Sequence, residues 1–240
     1  MSSAGHLSEL DFLRGQVADL SRQLVERDRS MQNLREQSQR LRTIAEGTAS
    51  ETGDEFFASL VTRLTSTLHM QYAVIGEVLE VPFRKIRTLA VSAGDTLIDN
   101  FEYELAHTPC AIALTQTSTC FDRDLQATFP QFQRLADLGA ESYCAVPLWT
   151  KSGAVIGLLV VMDTKPLEHS DDLQSLLGVF APRIAAEFER RRAEQEHAEA
   201  LADLHNAMEM APDIMFTLDT QGNMVRWNQR VKDVTGYSQE

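Results

Sequence analysis

Apolar residues at the N-terminal end of the chain alternate in steps of three and four. An apolar repeat of roughly 3.5 residues over about five heptads is typical of a coiled coil. An isolated helix cannot bury so narrow a stripe, so we predict a coiled-coil helix over residues 1–46 that joins two copies of the chain. The alternative is an amphipathic helix packed on its own domain. The seam consists of Leu10, Leu13, Val17, Leu20, Leu24, Met31, Leu34 and Leu41.

The pattern changes after a small, polar break at residues 47–53. Apolar residues at helical spacing predict a helix over 54–68, and two short helices are predicted at 108–114 and 131–138. Segments rich in β-branched residues, bounded by turn residues, predict strands. Strands interleaved with helices indicate an α+β domain with a mostly antiparallel sheet. The five predicted strands are 72–79, 86–91, 119–121, 143–149 and 155–162.

A long helix is predicted over residues 170–208, with Pro182 inside it. A charged run at 189–200 interrupts its apolar stripe, which resumes at Leu201 and Leu204 in a different heptad frame. This offset is typical of a stutter in a dimeric connector helix. A solvated surface helix is the alternative.

Charge narrows the classes of partner. The 240 residues include 22 basic and 35 acidic side chains, a net charge of −13. A general nucleic-acid or anionic-membrane surface needs positive charge, so we expect neither partner. The longest apolar run, 154–162, is too short to cross a bilayer. Three cysteines without a CxxC pair indicate a reducing, cytoplasmic location.

Residues 54–168 resemble a GAF domain. The resemblance rests on the Thr-Pro-Cys element at 108–110, the Leu-Gly-Ala-Glu-Ser-Tyr segment at 138–143, and the strands Val-Pro-Leu and Ile-Gly-Leu-Leu-Val-Val around a hairpin turn. It implies a ligand cavity between the sheet and the helices on one face. Simple core packing is the alternative for the residues that we expect to line it: Cys110, Cys120, Phe129, Phe132, Leu135, Tyr143 and Val146.

Residues 209–240 resemble the opening of a PAS domain. The Pro-Asp-Ile-Met-Phe-Thr-Leu-Asp segment at 212–219 is followed by Trp227-Asn228 and by Thr-Gly-Tyr at 235–237. A hairpin and one helix cannot enclose a core. We therefore expect an incomplete PAS domain, and the chain to be part of a longer protein.

Catalytic and cofactor motifs are absent from the sequence. It has neither GxxxxGK[ST] nor GxGxxG, and its histidines and cysteines lack metal-ligand spacing. We expect no cofactor other than an unidentified small ligand. The three cysteines are spaced similarly to those of free methionine-(R)-sulfoxide reductase, a GAF-fold enzyme, but only Cys110 coincides with its landmarks. That thiol enzyme is a third alternative.

The two resemblances imply a cytoplasmic sensory region of a multidomain bacterial signalling protein. A GAF domain would sense a small molecule or redox state and relay it through dimeric helices to the PAS domain and an output domain. A histidine kinase is the first expectation for that output, and a cyclic-di-GMP enzyme the second. A ligand-free GAF dimerisation module is the alternative.

Overall fold

The structure is a computed structural model that describes residues 22–236, except 24, 26, 29, 30, 33, 34, 37, 80–84 and 117. The described residues between 22 and 47 are helical, and we name this helix α1. Of the predicted seam, Met31 is exposed and Leu41 is half-buried. The coiled coil stays a prediction, because the rest of its seam lies outside the described residues: Leu10, Leu13, Val17, Leu20, Leu24 and Leu34.

The remaining elements confirm the predicted α+β class. Each of the predicted strands and longer helices is present, with ends that differ by a few residues. The elements, in chain order, are α2 (Gly53–Leu68), β1 (Tyr72–Val78), β2 (Lys85–Ala93), β3 (Thr96–Ile98), β4 (Glu102–Glu104), α3 (Pro109–Ala113), β5 (Thr119–Phe121), α4 (Leu125–Thr128), α5 (Gln133–Asp137), β6 (Ser142–Trp149), β7 (Val155–Asp163), α6 (Ser170–Met210), β8 (Phe216–Leu218), β9 (Met224–Trp227) and α7 (Gln229–Thr235).

Strands β1 to β7 form one antiparallel sheet in the order β3-β2-β1-β7-β6-β5, with β4 paired to β2 beyond this path. The sequence analysis missed β3 and β4. Both have three residues, and none of these is fully buried. Short strands without a buried face carry no strong alternation of apolar and polar residues, which is the signal that predicts a strand.

The sheet is covered on both faces. Strand β6 has seven consecutive buried residues, which is expected of a strand with protein on either side. Tyr143 and Ala145 join an apolar cluster with α3 and α5 on one face. On the other face, Thr65 of α2 is hydrogen-bonded to Ser92 of β2, and Gln174 of α6 lies beside Cys120 of β5. Helices α2 and α6 therefore cover the face of the sheet opposite α3 and α5.

Arg183 ties the helix that leads into this domain to the helix that leads out of it. Its guanidinium, in α6, donates hydrogen bonds to the backbone carbonyl and the hydroxyl of Thr48, just after α1, and to the carbonyl of Glu51. The same group lies 4.4 Å from the centre of the Phe56 ring in α2. Ile44, in the last turn of α1, is fully buried. The end of α1 thus packs within the domain, whatever its earlier turns do.

Residues 186–240 form a second compact unit, separate from residues 1–185. Within it, the hairpin β8–β9 is followed by α7. The side chain of Asn228 is fully buried and fastens the end of α6 to this hairpin. Its amide donates to the carbonyls of Met208 and Asp213 and accepts from the Met215 N–H. No described helix is long and apolar enough to span a membrane.

Two glycines provide a matched test of the sheet packing. A Cβ at Gly157, in β7, would lie 2.3 Å from the carbonyl oxygen of Gly76 in β1, whereas a Cβ at Gly178, in α6, would meet no atom within 4 Å. We expect Gly157→Ala to lower the free energy of unfolding by about 1–3 kcal/mol, because strand backbones must separate. Gly178→Ala should raise it by roughly 0.5–1 kcal/mol. Urea unfolding measures both, and equal effects would contradict the packing.

Candidate functional site

A narrow cavity of about 50 Å³ lies on the face of the sheet that α3 and α5 cover. Its floor is formed by β1, β2, β6 and β7, through side chains such as Val74, Val91 and Val160. Its cover comes from three segments: β4 with the residues before it, the first turn of α3, and the stretch from Phe132 to Leu138. It has room for a few water-sized groups, and the exposed residues Ile98 and Arg134 are part of its lining.

Helix α3 holds Cys110 against this cavity. Thr108 is its N-cap, and the Thr108 hydroxyl accepts a hydrogen bond from the Ala111 N–H (3.3 Å) and donates one to the Leu105 carbonyl (2.7 Å). Pro109 takes the first helical position, where its missing N–H costs no hydrogen bond. This cap fixes the first turn of the helix, so Cys110 points inward and its side chain is buried.

Two tyrosine hydroxyls meet the thiol of Cys110. Tyr103, from β4, lies 3.2 Å from the sulfur, and Tyr143, from β6, donates to it at 3.3 Å. Burial raises the pKa of the Cys110 thiol, although these hydrogen bonds oppose the shift. Burial, reinforced by the neighbouring thiol, also holds the pKa of both tyrosines well above the ordinary range. All three groups are therefore neutral at physiological pH, and Cys110 is a weak nucleophile.

Aromatic rings form the outer wall of the cavity. The ring centre of Tyr103 lies 5.9 Å from that of Phe101 and 5.6 Å from that of Phe132. The exposed guanidinium of Arg134 stacks over Phe101 at 3.7 Å. A cation over an aromatic face is stabilised by about 0.5–1 kcal/mol at an exposed site. Arg134 therefore holds the outer edge of this wall, and its charge partly opposes the burial that raises the pKa of Tyr103.

The sequence identifies the family to which this architecture belongs. A family model of the GAF domain matches residues 52–188, more than half of the chain. The chain belongs to the GAF domain family. The match runs from the start of α2 into α6, so the GAF domain includes both helices on the far face of its sheet. No curated protein matches the chain.

Solved GAF domains share the fold at low sequence identity. The GAF domain of a phosphoenolpyruvate-protein phosphotransferase from Coxiella burnetii matches with a TM-score of 0.56 and 13% identity over 68% of this chain and 99% of its own. The A. aeolicus nlh2 GAF domain in an inactive state gives 0.52 and 12% over 65% and 97%. Free methionine-R-sulfoxide reductase from Neisseria meningitidis, in complex with its substrate, gives 0.51 and 16% over 64% and 89%.

The structure brings four of the seven candidate residues to the cavity: Cys110, Phe132, Leu135 and Tyr143. Phe129 lies beside it and packs edge-on against Phe121, with ring centres 5.1 Å apart. Val146 borders a groove on the opposite face of the sheet, next to α6. Tyr143 and Val146 are three positions apart on one strand, and such residues project to opposite faces. The two could not line one cavity.

Sequence reasoning did not select Phe101, Tyr103 or Arg134. Phe101 and Tyr103 flank Glu102 at the spacing of two that places residues on one face of a strand. That short alternation was the available signal, and it lay next to the Thr-Pro-Cys element. Arg134 carried no signal, because its role depends on the position of the Phe101 ring.

The positions of Cys120 and Cys144 correct the expectation that Cys120 lines the cavity. The two residues are directly opposite each other on β5 and β6, and the structure joins them in a disulfide. Cys120 therefore lies away from the cavity that it was expected to line. Among the described residues, the free thiol is that of Cys110.

The buried thiol predicts a dependence of stability on pH. Because burial raises the pKa of Cys110, its contribution is fully present below the pKa of an unfolded cysteine and is lost as pH rises toward the folded pKa. The free energy of unfolding should therefore decrease less between about pH 7 and about pH 9.5 in Cys110→Ala than in the unaltered protein. Val91→Ala alters the same cavity but removes no titrating group, so it should lower the free energy of unfolding equally at both pH values. Urea titrations measure this, and an unchanged fall in Cys110→Ala would contradict it.

Proposed function

We propose that this GAF domain is a sensory module that binds a small, uncharged and weakly polar molecule in the cavity beside Cys110. The observation that carries this proposal is the apolar cavity, in which two tyrosine hydroxyls and one thiol converge. A few polar groups in an apolar pocket are the usual composition of a small-molecule site. Both hydroxyls are hydrogen-bonded to the thiol, and each could pair with a polar group of a ligand instead.

Charge supports an uncharged ligand. Arg134 is the one charged residue among the described lining residues, and its guanidinium is exposed and stacked on Phe101. An anion inside the cavity would have to give up its hydration with Arg134 as its one charged partner among the described lining residues, and desolvating an ion costs several kcal/mol. A neutral molecule with one hydroxyl or carbonyl could pair with Tyr103 or Tyr143 instead.

Size implies that binding moves the cover of the cavity. Pockets for typical ligands enclose about 300–1,000 Å³, whereas this one has about 50 Å³. The floor is a sheet buried on both faces, while α5 in the cover is a helix of five residues. A ligand larger than a few non-hydrogen atoms would therefore displace the segment around Phe132 and Leu135 before it displaced the sheet.

The module's output would pass through α6, in a cytoplasmic homodimer, toward a PAS domain and an output domain beyond it. Leu201 and Leu204 support the dimer, because both are exposed and lie at seam spacing. The hairpin supports the start of a PAS domain, since Phe216 and Leu218 of β8 and Val225 of β9 are also exposed. A two-stranded hairpin is marginal unless it packs on further structure. A histidine kinase remains our first choice of output, and a cyclic-di-GMP enzyme the second.

A three-cysteine reductase finds less support. Cys110 lies on the cavity face, and the Cys120–Cys144 disulfide lies on the face of α2 and α6. Electrons would have to cross a packed sheet to pass between them.

Phenol is a suitable probe of the cavity, because its ring and hydroxyl match the lining. A tenfold excess over its Kd should stabilise the protein by about 1.4 kcal/mol, seen as a rise in Tm. Val160→Phe fills the cavity and should abolish this rise. The control Val179→Phe adds the same group at an exposed position of α6 and should preserve it. An equal rise in both variants would place phenol elsewhere, and no rise in the unaltered protein would contradict the proposed ligand class.

The dimer can be tested on α6 with a matched pair of double variants. Leu201→Asp with Leu204→Asp places two charges in the exposed apolar seam. We expect the dissociation constant of the dimer to rise at least tenfold, a cost of about 1.4 kcal/mol. Ala202→Asp with Asn206→Asp adds two charges on the other side of the same helix and should leave the Kd unchanged. Sedimentation velocity measures both. A monomeric unaltered chain, or equal effects of the two pairs, would contradict the dimer.

A further inference from the structure

Strands β5 and β6 place two cysteines in register at the edge of the sheet. Cys120 is paired directly with Cys144, and their Cα atoms are 4.0 Å apart. Directly opposed residues of antiparallel strands project to the same face of the sheet as neighbours, so the two sulfurs can form or break a bond while the strands keep their pairing. We propose that Cys120 and Cys144 are a reversible dithiol–disulfide site that exchanges with small thiols and disulfides. The site does not depend on a ligand in the cavity.

Accessibility separates the roles of the two sulfurs. Cys144 is fully buried in the centre of β6, whereas Cys120 is partly exposed on β5. Strand β5 has three residues and is the last strand of the sheet, with β6 as its one partner in the described sheet. Solvent therefore reaches Cys120 first. Cys120 is the sulfur that a small thiolate attacks when the site is oxidised and that attacks a small disulfide when the site is reduced, and Cys144 is the sulfur that resolves the mixed disulfide.

The exchange balances in two steps. The Cys120 thiolate attacks a small disulfide, forms a mixed disulfide and releases one small thiolate. The Cys144 thiolate then attacks the Cys120 sulfur, closes the protein disulfide and releases the second small thiolate. The two protons that leave the protein thiols end on the two released small thiols. The protein dithiol is oxidised by two electrons, and the small disulfide is reduced by the same two.

The site adjoins the start of α6, the helix that leaves the domain. The Cys120 sulfur lies 3.9 Å from the Ser170 carbonyl oxygen and 3.8 Å from Oε1 of Gln174. The Gln174 amide nitrogen donates to the Ser118 hydroxyl, and this bond turns Oε1 toward Cys120. A thiol can donate its one hydrogen to either of these acceptors, whereas a disulfide sulfur has no hydrogen to donate. Oxidation therefore fastens β5 to β6 and removes one contact between β5 and α6.

Thiol counting in the 240-residue chain tests the site. The chain is equilibrated in buffers of glutathione and glutathione disulfide, quenched with acid, unfolded and alkylated, and its mass is measured. The reducing limit should give three alkylated cysteines, and the oxidising limit one, which Cys110→Ser should eliminate. Cys120→Ser should give two in both buffers. Cys144→Ser should give two at the reducing limit and, at the oxidising limit, one alkylated cysteine and one glutathione adduct on Cys120, because no resolving thiol remains. Three alkylated cysteines at the oxidising limit, or one across the whole range, would overturn a reversible site.

Hydrogen exchange in the same two buffers tests the connection to α6. Oxidation should slow amide exchange in residues 119–121 and speed it in the first turns of α6. Gln174→Leu should weaken the change in α6, because the Ser170 carbonyl remains as the other acceptor, and keep both the change in β5 and the thiol count. Ser175→Ala, the next residue in the helix, should keep all three unchanged. An α6 response undiminished in Gln174→Leu, or no α6 response in the unaltered chain, would overturn the connection.

Discussion

The central constraint on this domain is that β6 is buried on both of its faces. Successive residues of a strand project to opposite sides, so the neighbours Tyr143 and Cys144 belong to different halves of the molecule. Tyr143 closes the cavity beside Cys110, and Cys144 pairs with Cys120 on the side of α6. A packed sheet is stiff and close to incompressible. It therefore keeps two chemically distinct sites apart although they are one residue apart in the chain.

The same constraint explains which parts of the structure the sequence could predict. Strands β1, β2, β6 and β7 were predictable, because runs of β-branched residues between turn signals identify buried strands. The side of the sheet to which each residue points was not predictable, because a strand buried on both sides shows no alternation of apolar and polar residues. Val146 was thus assigned to the cavity and lies on the other face. The pairing of Cys120 with Cys144 also needed the strand register, which depends on contacts far apart in sequence.

The cavity owes its character to segments with weak sequence signals. Its floor comes from long strands, but the tyrosine that joins Tyr143 at the thiol comes from β4, and Phe132 comes from the irregular stretch before α5. Loops and short elements carry most ligand contacts in folded proteins, because a rigid scaffold positions them and they can still move. The rigid floor and the short cover of this cavity repeat that division. The elements that could adjust to a ligand are those that the sequence specified least.

The side chain of Arg183 links the two ends of the GAF domain. Arg183, within α6, donates hydrogen bonds to the carbonyls of Thr48 and Glu51. A displacement of α6 at this point must therefore either carry the end of α1 with it or leave these carbonyls without a donor. Losing a buried hydrogen-bond partner costs about 1–3 kcal/mol. Pro182 has no N–H to offer the carbonyl of Gly178, so the helix is weakest one turn before this anchor. Any bend of α6 that the Cys120 side of the sheet induces would therefore fall between Gln174 and Arg183, and Arg183 would convert it into a movement shared with α1.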